Sequence, residues 1–174
     1  MKKLFIMLCL CTMAVCANAQ KFGVWYGVNL ASVGGDLDEA DSEMKFLNIG
    51  VDYTAPINDV FDWSVGAAYV TKGAKDWDPS FIQIDANARW NFWQSDEAKV
   101  GILAGPYVGY MINDDDIDAT GLEANKLDFG IGAGIMGTYS NFSLKLGYEF
   151  GITDAIDGPS SPLSSFYIRV GYSF

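Results

Sequence analysis

Carboxylates are the side chains of this sequence whose number and spacing could support chemistry. Aspartate and glutamate number 22 against 11 lysines and arginines, and the chain has no histidine. Many of the acids crowd two segments, which hold Asp36, Asp38, Glu39, Asp41 and Glu43 in the first and Asp114, Asp115, Asp116, Asp118 and Glu123 in the second. Because divalent cations prefer oxygen ligands, each segment is a candidate for cation binding.

The second acidic segment has the beginning of a calcium-loop pattern but lacks its later positions. Asp114, Asp116 and Asp118 alternate as the first ligands of such a loop do, but Ala119 stands where glycine is required and the twelfth position is not glutamate. We therefore keep Asp114, Asp116 and Asp118 only as a speculative contact for a divalent cation. A solvated, self-repelling surface loop is the favoured interpretation, and no cofactor is predicted.

Catalysis is not expected from this set of residues. Histidine, the most common general base, is absent from the chain, and no pair of acids falls in a pattern that predicts a cleft. The sequence therefore predicts a protein that is not an enzyme, although carboxylate chemistry stays possible in principle. The excess of acids also argues against nucleic-acid binding, which needs basic side chains to neutralise phosphates.

A further set of charged residues lies within segments of two-residue period. Its members, all in the polar phase of that alternation, are Asp52, Asp62, Lys72, Asp85, Arg89, Asp128, Lys145, Glu149 and Arg169. If the hairpins are symmetric, Glu149 lies nearly opposite Arg169, and Arg89 falls near both Asp62 and Asp52. The favoured interpretation of these ion pairs is a salt-bridged interior that satisfies buried charges. An ion path or a gated polar core is the alternative.

The elements that must position these charges are eight segments of alternating apolar and polar residues. They span Phe22–Ala31, Leu47–Thr54, Phe61–Lys72, Ile82–Phe92, Lys99–Ile112, Leu127–Thr138, Phe142–Ile152 and Phe166–Phe174. A two-residue period predicts a strand with one apolar and one polar face, and about ten residues let a tilted strand cross a bilayer. Short and long connections alternate, which predicts an up-and-down barrel with its short turns and both termini on the periplasmic side.

The composition of the two strand faces indicates which face is outside. The polar face carries most of the strand glycines, and small residues suit the narrow interior of an eight-stranded barrel. The apolar face carries large rings, among them Tyr26, Trp63, Trp90 and Tyr148, as a lipid-facing band with aromatic girdles does. A soluble barrel with its apolar face inward is the less favoured alternative. We predict an all-β fold, an eight-stranded antiparallel up-and-down transmembrane β-barrel, and a monomer.

The N-terminus predicts export. Two lysines and a short apolar stretch precede Ala17-Asn18-Ala19, the pattern of a secretory cleavage site. Residues 1–19 are therefore predicted to be a removed signal peptide and residues 20–174 a single barrel domain in the outer membrane. All three cysteines lie in the removed segment. A lipoprotein attached through Cys16 is the alternative, which the bulky Val15 disfavours.

Pro106 conflicts with the strand pattern. It lies inside the fifth segment, and it has no N–H group to donate to a strand ladder. We expect a bulge or a bend beside Gly105 to accommodate it.

The last strand resembles the C-terminal strand of bacterial outer-membrane barrels, which the assembly machinery recognises. It ends on the alternating aromatic residues Tyr172 and Phe174. The resemblance implies that Tyr172 and Phe174 form an assembly signal. It also implies that the partners are the barrel-assembly machinery and the lipid or lipopolysaccharide of the outer membrane.

Three stretches resemble strands of the small outer-membrane β-barrels of Bacteroidetes, the PorT-like, porin-family barrels. They are Lys99–Tyr110 (KVGILAGPYVGY), Leu127–Gly134 (LDFGIGAG) and Leu144–Ile152 (LKLGYEFGI). The architecture is also similar to that of the OmpX and OmpA barrels. We predict a non-catalytic structural or surface-interaction protein with acidic extracellular loops. The resemblance to PorT implies an alternative, an accessory subunit of an envelope machine such as type IX secretion; a narrow pore or an outer-membrane enzyme is a further, less favoured one.

Overall fold

A computed structural model describes residues 21–35, 42–75, 78–113, 125–156 and 160–174. The predicted signal peptide, residues 1–19, lies outside these ranges. So does the speculative cation contact at Asp114, Asp116 and Asp118.

Eight antiparallel strands form the fold. They are β1 (Lys21–Val33), β2 (Glu43–Pro56), β3 (Phe61–Thr71), β4 (Ser80–Gln94), β5 (Ala98–Asn113), β6 (Leu127–Tyr139), β7 (Phe142–Asp154) and β8 (Pro162–Ser173). Each strand pairs with its neighbour in sequence, and β1 also pairs with β8, which closes the barrel. The predicted eight-stranded, antiparallel, up-and-down barrel is confirmed. Within the described ranges, no helix is long and apolar enough to cross a membrane.

Side-chain exposure alternates along the strands, with apolar residues outside and polar residues inside. Ile84 and Ile131 are each 52% exposed on the outer surface, whereas Glu149 and Arg169 are 3% and 4% exposed. Successive side chains of a strand point to opposite faces of the sheet, so the period seen in the sequence becomes an apolar outside and a charged inside. This is the orientation that the glycine and aromatic distribution predicts.

Short turns and both ends of the described chain lie at one end of the barrel. In the β2–β3 turn, the Asn58 side-chain oxygen accepts hydrogen bonds from the backbone N–H groups of Val60 and Phe61, at 3.0 and 2.9 Å. At the same end, the Phe174 N–H donates to the carbonyl oxygen of Phe22 at 2.7 Å. We call this the short-turn end and the opposite one the long-loop end.

A bulge in β2 brings one lysine into the barrel. Phe46 and Leu47 together oppose a single residue of β1, Val28, and both point outward, 61% and 58% exposed. The extra residue reverses the phase of the strand, so Lys45 points inward and is 5% exposed. The sequence pattern placed the start of this strand at Leu47 and Lys45 in the loop, but the strand begins at Glu43.

A bulge or a bend was expected beside Gly105, and the strand register shows no bulge there. On both sides of Pro106, β5 keeps the same register with β4, and pairing is interrupted opposite it, at Ala86 and Asn87. The register with β6 continues through Pro106 without a shift. The proline is therefore accommodated by a local loss of pairing on one side, without an inserted residue. Gly105 assists, because a side chain there would collide with the carbonyl oxygen of Ala86.

Candidate functional site

Four buried charges from four parts of the chain meet inside the long-loop half of the barrel. Lys72 Nζ lies 2.8 Å from Asp128 Oδ2 and 3.2 Å from Glu149 Oε2, and Arg169 Nη2 lies 2.6 Å from Glu149 Oε1. We call these residues the Glu149 cluster. Glu149 thus bridges two cations, and the pairing offsets the large penalty of removing each charge from water.

Neutral and aromatic side chains complete the surroundings of the Glu149 cluster. Gln83 Nε2 donates to Glu149 Oε1 at 3.1 Å. The Lys72 ammonium lies over the ring of Tyr107, 3.9 Å from its centroid. The Arg169 guanidinium lies against Trp25 and Tyr167, with its central carbon 4.4 and 4.0 Å from the ring centroids. Such contacts stabilise cations that have lost their water.

Sequence reasoning missed these aromatic residues as members of the site, although the signal was present. Trp25, Tyr107 and Tyr167 occupy the polar phase of their strands, where glycine and charged residues predominate. A large ring in the inward phase of a narrow barrel must pack against other interior side chains. Here those side chains are the two cations of the Glu149 cluster.

The predicted ion pair between Glu149 and Arg169 is present, but the expected register is wrong. Glu149 is paired across the strands with Ser165, and Arg169 is paired with Lys145. Hairpin symmetry fails because the pairing shifts between Phe150 and Asp154. Two like charges therefore face each other at the ladder position of Arg169, which is unfavourable, and the long Arg169 side chain extends away from Lys145 to reach Glu149.

A second ion pair lies in the short-turn half of the interior. Arg89 and Asp62 are directly opposite each other on β4 and β3, and Arg89 Nε donates to Asp62 Oδ2 at 3.0 Å. Asn91 Nδ2 donates to the same oxygen at 2.7 Å. Asp52 was expected beside Arg89, and the two line the same small void. Within the described part of the chain, however, Asp52 makes no direct ion pair.

Apolar side chains close the long-loop end. We call them the apolar plug: Trp25, Val33, Ala68, Val70, Ala74, Phe81, Met111, Ala155, Ile156 and Leu163. Ala74 comes from the β3–β4 connection, and Ala155 and Ile156 come from the β7–β8 connection. Backbone hydrogen bonds hold the latter in place, including Asn125 N–H to Ala155 O at 2.9 Å. Apolar side chains therefore fill the barrel mouth at this end.

The bulge turns Lys45 inward, where its hydrogen bonds hold the β3–β4 connection against β2. Its ammonium donates to the carboxylates of Glu43 and Asp78 and, at 2.9 Å, to the carbonyl oxygen of Ala74. Because Ala74 belongs to the apolar plug, this one lysine connects the strand to the plug.

Replacing Lys45 with methionine is expected to loosen the β3–β4 connection, since two carboxylates and one carbonyl lose their shared donor. The measurement is limited trypsin digestion of the folded barrel, in which cleavage after exposed Lys75 should become several-fold faster. Lys45→Arg, which keeps the charge and the donors, is the matched control. Equal cleavage rates for the methionine variant and the wild type would show that Lys45 does not hold the β3–β4 connection in place.

At the short-turn end the barrel opens into a vestibule of about 940 Å³. Turn residues form its rim, and Asp62, Arg89 and Met136 lie at its base. The two ends of the barrel therefore differ: one is open and polar, the other sealed and apolar. Over the described residues, no group of three or more histidine, cysteine, aspartate or glutamate side chains is arranged to hold a metal ion.

The sequence matches a known family over almost its whole length. Residues 4–174 match the family described as outer membrane protein beta-barrel domain. The chain belongs to this family. Its compartment, the outer membrane, is therefore the one that the strand pattern predicted. No curated protein matches the sequence.

Solved structures of outer-membrane barrels share the fold. Ail, the attachment invasion locus protein of Yersinia pestis, is 15% identical with a TM-score of 0.51, covering 90% of this chain and 99% of Ail. Neisserial surface protein A is 17% identical with a TM-score of 0.56, covering 88% and 97%. The outer membrane enzyme PagL is 12% identical with a TM-score of 0.57, covering 86% and 98%. At these identities the likeness extends to the fold alone.

Proposed function

We propose that this protein is a non-catalytic outer-membrane barrel that acts through its surface, as a structural or surface-interaction protein. The observation that carries the proposal is the filled interior. The Arg89–Asp62 pair, the Glu149 cluster and the apolar plug follow one another along the barrel. With no open path through the middle, the surfaces left for function are the lipid-facing wall and the two ends. The acidic loop segments, which face outward in this proposal, would meet cationic partners first.

A role without catalysis is supported by what the interior carboxylates do. Asp62, Asp128 and Glu149 are each held by a buried cation, which leaves them poorly suited to accept a proton from a substrate. The chain has no histidine. The fold shared with PagL does not alter the proposal, because barrels of one architecture carry unrelated functions.

The vestibule favours a second candidate function, an accessory subunit of an envelope machine such as type IX secretion. In the proposed orientation the vestibule faces the periplasm, where subunits of such a machine would contact it. The sequence resemblance to PorT-like barrels points the same way. Affinity purification from native membranes after mild crosslinking tests it: a stable stoichiometric partner supports the accessory role, and recovery of the barrel alone supports the surface role.

The proposal includes export by a signal peptide, assembly by the barrel-assembly machinery, and a monomeric barrel in contact with lipid or lipopolysaccharide. Support for the assembly signal comes from the exposure of Phe174 and Tyr172 on the outer surface. Phe174 is 72% exposed and packs edge-on against Tyr172, with ring centroids 5.3 Å apart. Tyr172 contacts Phe142 in the same way at 5.2 Å. The aromatic row is thus displayed outward, where a receptor can reach it.

The filled interior predicts that the purified barrel does not conduct ions. Protein that migrates as the folded, heat-modifiable form on gels should give no single-channel steps in planar bilayers, since two ion pairs and the apolar plug obstruct the path. A known porin inserted under the same conditions provides the control. Reproducible steps from the folded barrel would contradict the proposal and support the narrow-pore alternative.

A further inference from the structure

Lys145 is a buried charge without a direct partner. It lies on β7, is 8% exposed, and makes no ion pair or hydrogen bond with any described residue. Its ladder partner is Arg169, a like charge. The opposite charges that act on it are Asp85 and Asp52, which also have no direct ion pair within the described ranges. A buried ammonium without a hydrogen-bond acceptor is strongly unfavourable, so something other than protein must solvate it.

Two small polar voids lie on either side of Lys145. Asp52, Ser64, Arg89 and Lys145 are among the residues that line the first, and Asp85, Asn87, Glu149, Arg169 and Lys145 are among those that line the second. Each void has a volume of about 10 Å³. That volume is close to what one water molecule requires, and polar walls of this kind supply the partners that a buried water needs.

Arg169, which lines the second void, also has a donor without a partner. Arg169 Nε is buried and has no hydrogen-bond partner among the described residues, although the rest of the guanidinium is engaged by Glu149 and by the two aromatic rings. Buried polar groups in native proteins are nearly always satisfied by protein or by ordered water. Arg169 Nε therefore needs a partner that the described protein groups do not supply.

The two voids lie between the vestibule and the middle of the barrel. The first void shares Thr54, Asp62, Arg89 and Met136 with the vestibule, and the two voids share Lys145. Beyond the second void, the Glu149 cluster and then the apolar plug close the path. Both of these polar, water-sized voids thus lie on the vestibule side of the Glu149 cluster.

We infer that the barrel interior is a blind, water-filled pocket that is entered from the short-turn end. Ordered water in its two inner chambers bridges Lys145 to Asp52 on one side and to Asp85 and Arg169 on the other. The pocket admits water as far as Lys145, and the apolar plug excludes it from the long-loop half. This inference goes beyond the proposed surface function and does not depend on it.

Thiol labelling of the folded barrel tests the inference, because residues 20–174 contain no native cysteine. Ser64→Cys places a thiol of nearly unchanged size in the first void, and Val70→Cys places one in the apolar plug. The probe is hydrogen peroxide, a hydrophilic oxidant little larger than water, applied to barrel refolded in detergent. It labels a thiol by oxidising it to a sulfenic acid and is itself reduced to water, and mass spectrometry of the digested protein measures the label at each position. The cysteine at position 64 should react in the folded protein, and the one at position 70 only after unfolding. An unreactive cysteine at 64, or equal rates at both positions, would overturn the inference.

The direction of entry is tested by obstructing the short-turn side in one variant and by thinning the apolar plug in another. Met136→Trp, at the junction of the vestibule and the first void, should slow labelling at position 64 roughly tenfold, since thiol reactivity follows exposure. Leu163→Ala, which thins the apolar plug, should leave the rate unchanged. Thr138→Trp at the vestibule wall is the substitute if the Met136 variant does not fold. Entry through the long-loop end is shown by the opposite pattern, faster labelling with Leu163→Ala and no effect of the tryptophan.

Discussion

Glu149→Gln is expected to destabilise the folded barrel by about 3–5 kcal/mol, the usual effect of removing one partner from a buried ion pair. Glu149 holds Arg169 at 2.6 Å and Lys72 at 3.2 Å. The amide keeps the shape and part of the hydrogen bonding of the carboxylate, but it carries no charge. Two buried cations then lie close together without their shared counter-ion. The measurement is the free energy of unfolding in urea, with the barrel in lipid vesicles or detergent and tryptophan fluorescence as the signal.

The control for the Glu149 variant removes an acid from the surface. Asp96→Asn lies in the β4–β5 turn, where a substitution is expected to change the stability by no more than about 0.5 kcal/mol. A double-mutant cycle adds a second check, because the effect of Arg169→Met should be smaller in the Glu149→Gln background than in the wild type. If the Glu149 and Asp96 variants have the same stability, the Glu149 cluster does not hold the barrel together.

Ile131→Arg is expected to destabilise the barrel in a bilayer by about 2–4 kcal/mol, the range found for basic residues at the middle of the lipid-facing wall. Ile131 lies near the middle of β6, its side chain is 52% exposed on the outer surface, and it is paired with Phe150 of β7 and Pro106 of β5. An arginine there must either enter hydrocarbon or draw water and headgroups toward it. Unfolding from vesicles of defined thickness measures the difference from the wild type.

The matched control lies on the same strand and the same face. Leu127 is 54% exposed at the first position of β6, near the membrane surface, where arginine should cost only about 0–1 kcal/mol. The gap between the two variants reports the depth of the apolar band. Equal effects at positions 127 and 131 would mean that the outer surface faces a uniform medium, as it would on a soluble barrel.

The successes and failures of prediction from the sequence have separate physical causes. Alternation is a property of the extended backbone itself, and a membrane enforces it on every strand. The inward placement of charges such as Arg89 and Glu149 could therefore be predicted from the apolar–polar alternation alone. The Arg89–Asp62 pair followed as well, because the β3–β4 hairpin keeps one register along the whole of β3. Register across the β7–β8 connection could not be predicted from the sequence, since it depends on an irregularity between Phe150 and Asp154 that shifts the pairing.

The apolar–polar alternation alone does not predict how Lys45 and Pro106 are accommodated. An inserted residue in β2 reverses the phase, which turns Lys45 from a loop residue into an interior one, and nothing in the local sequence requires the insertion. At Pro106 the strand tolerates a lost donor because β4 stops pairing opposite it. Both outcomes depend on the neighbouring strand, so they are decided only once the sheet is paired.

The sequence by itself determined the class of this protein: the eight strands, the face that meets lipid, and the outer membrane as its location. A two-residue period is visible within each segment, without knowledge of which strands pair. Strands that cross lipid must close into a barrel, because lipid cannot satisfy exposed backbone groups. The tertiary structure alone decided which charges touch, that the long-loop end is plugged while the short-turn end is open, and that Lys145 is left between two water-sized voids. Those features arise where side chains from several strands meet inside a closed barrel, and their contacts depend on register, side-chain length and the direction in which each side chain extends.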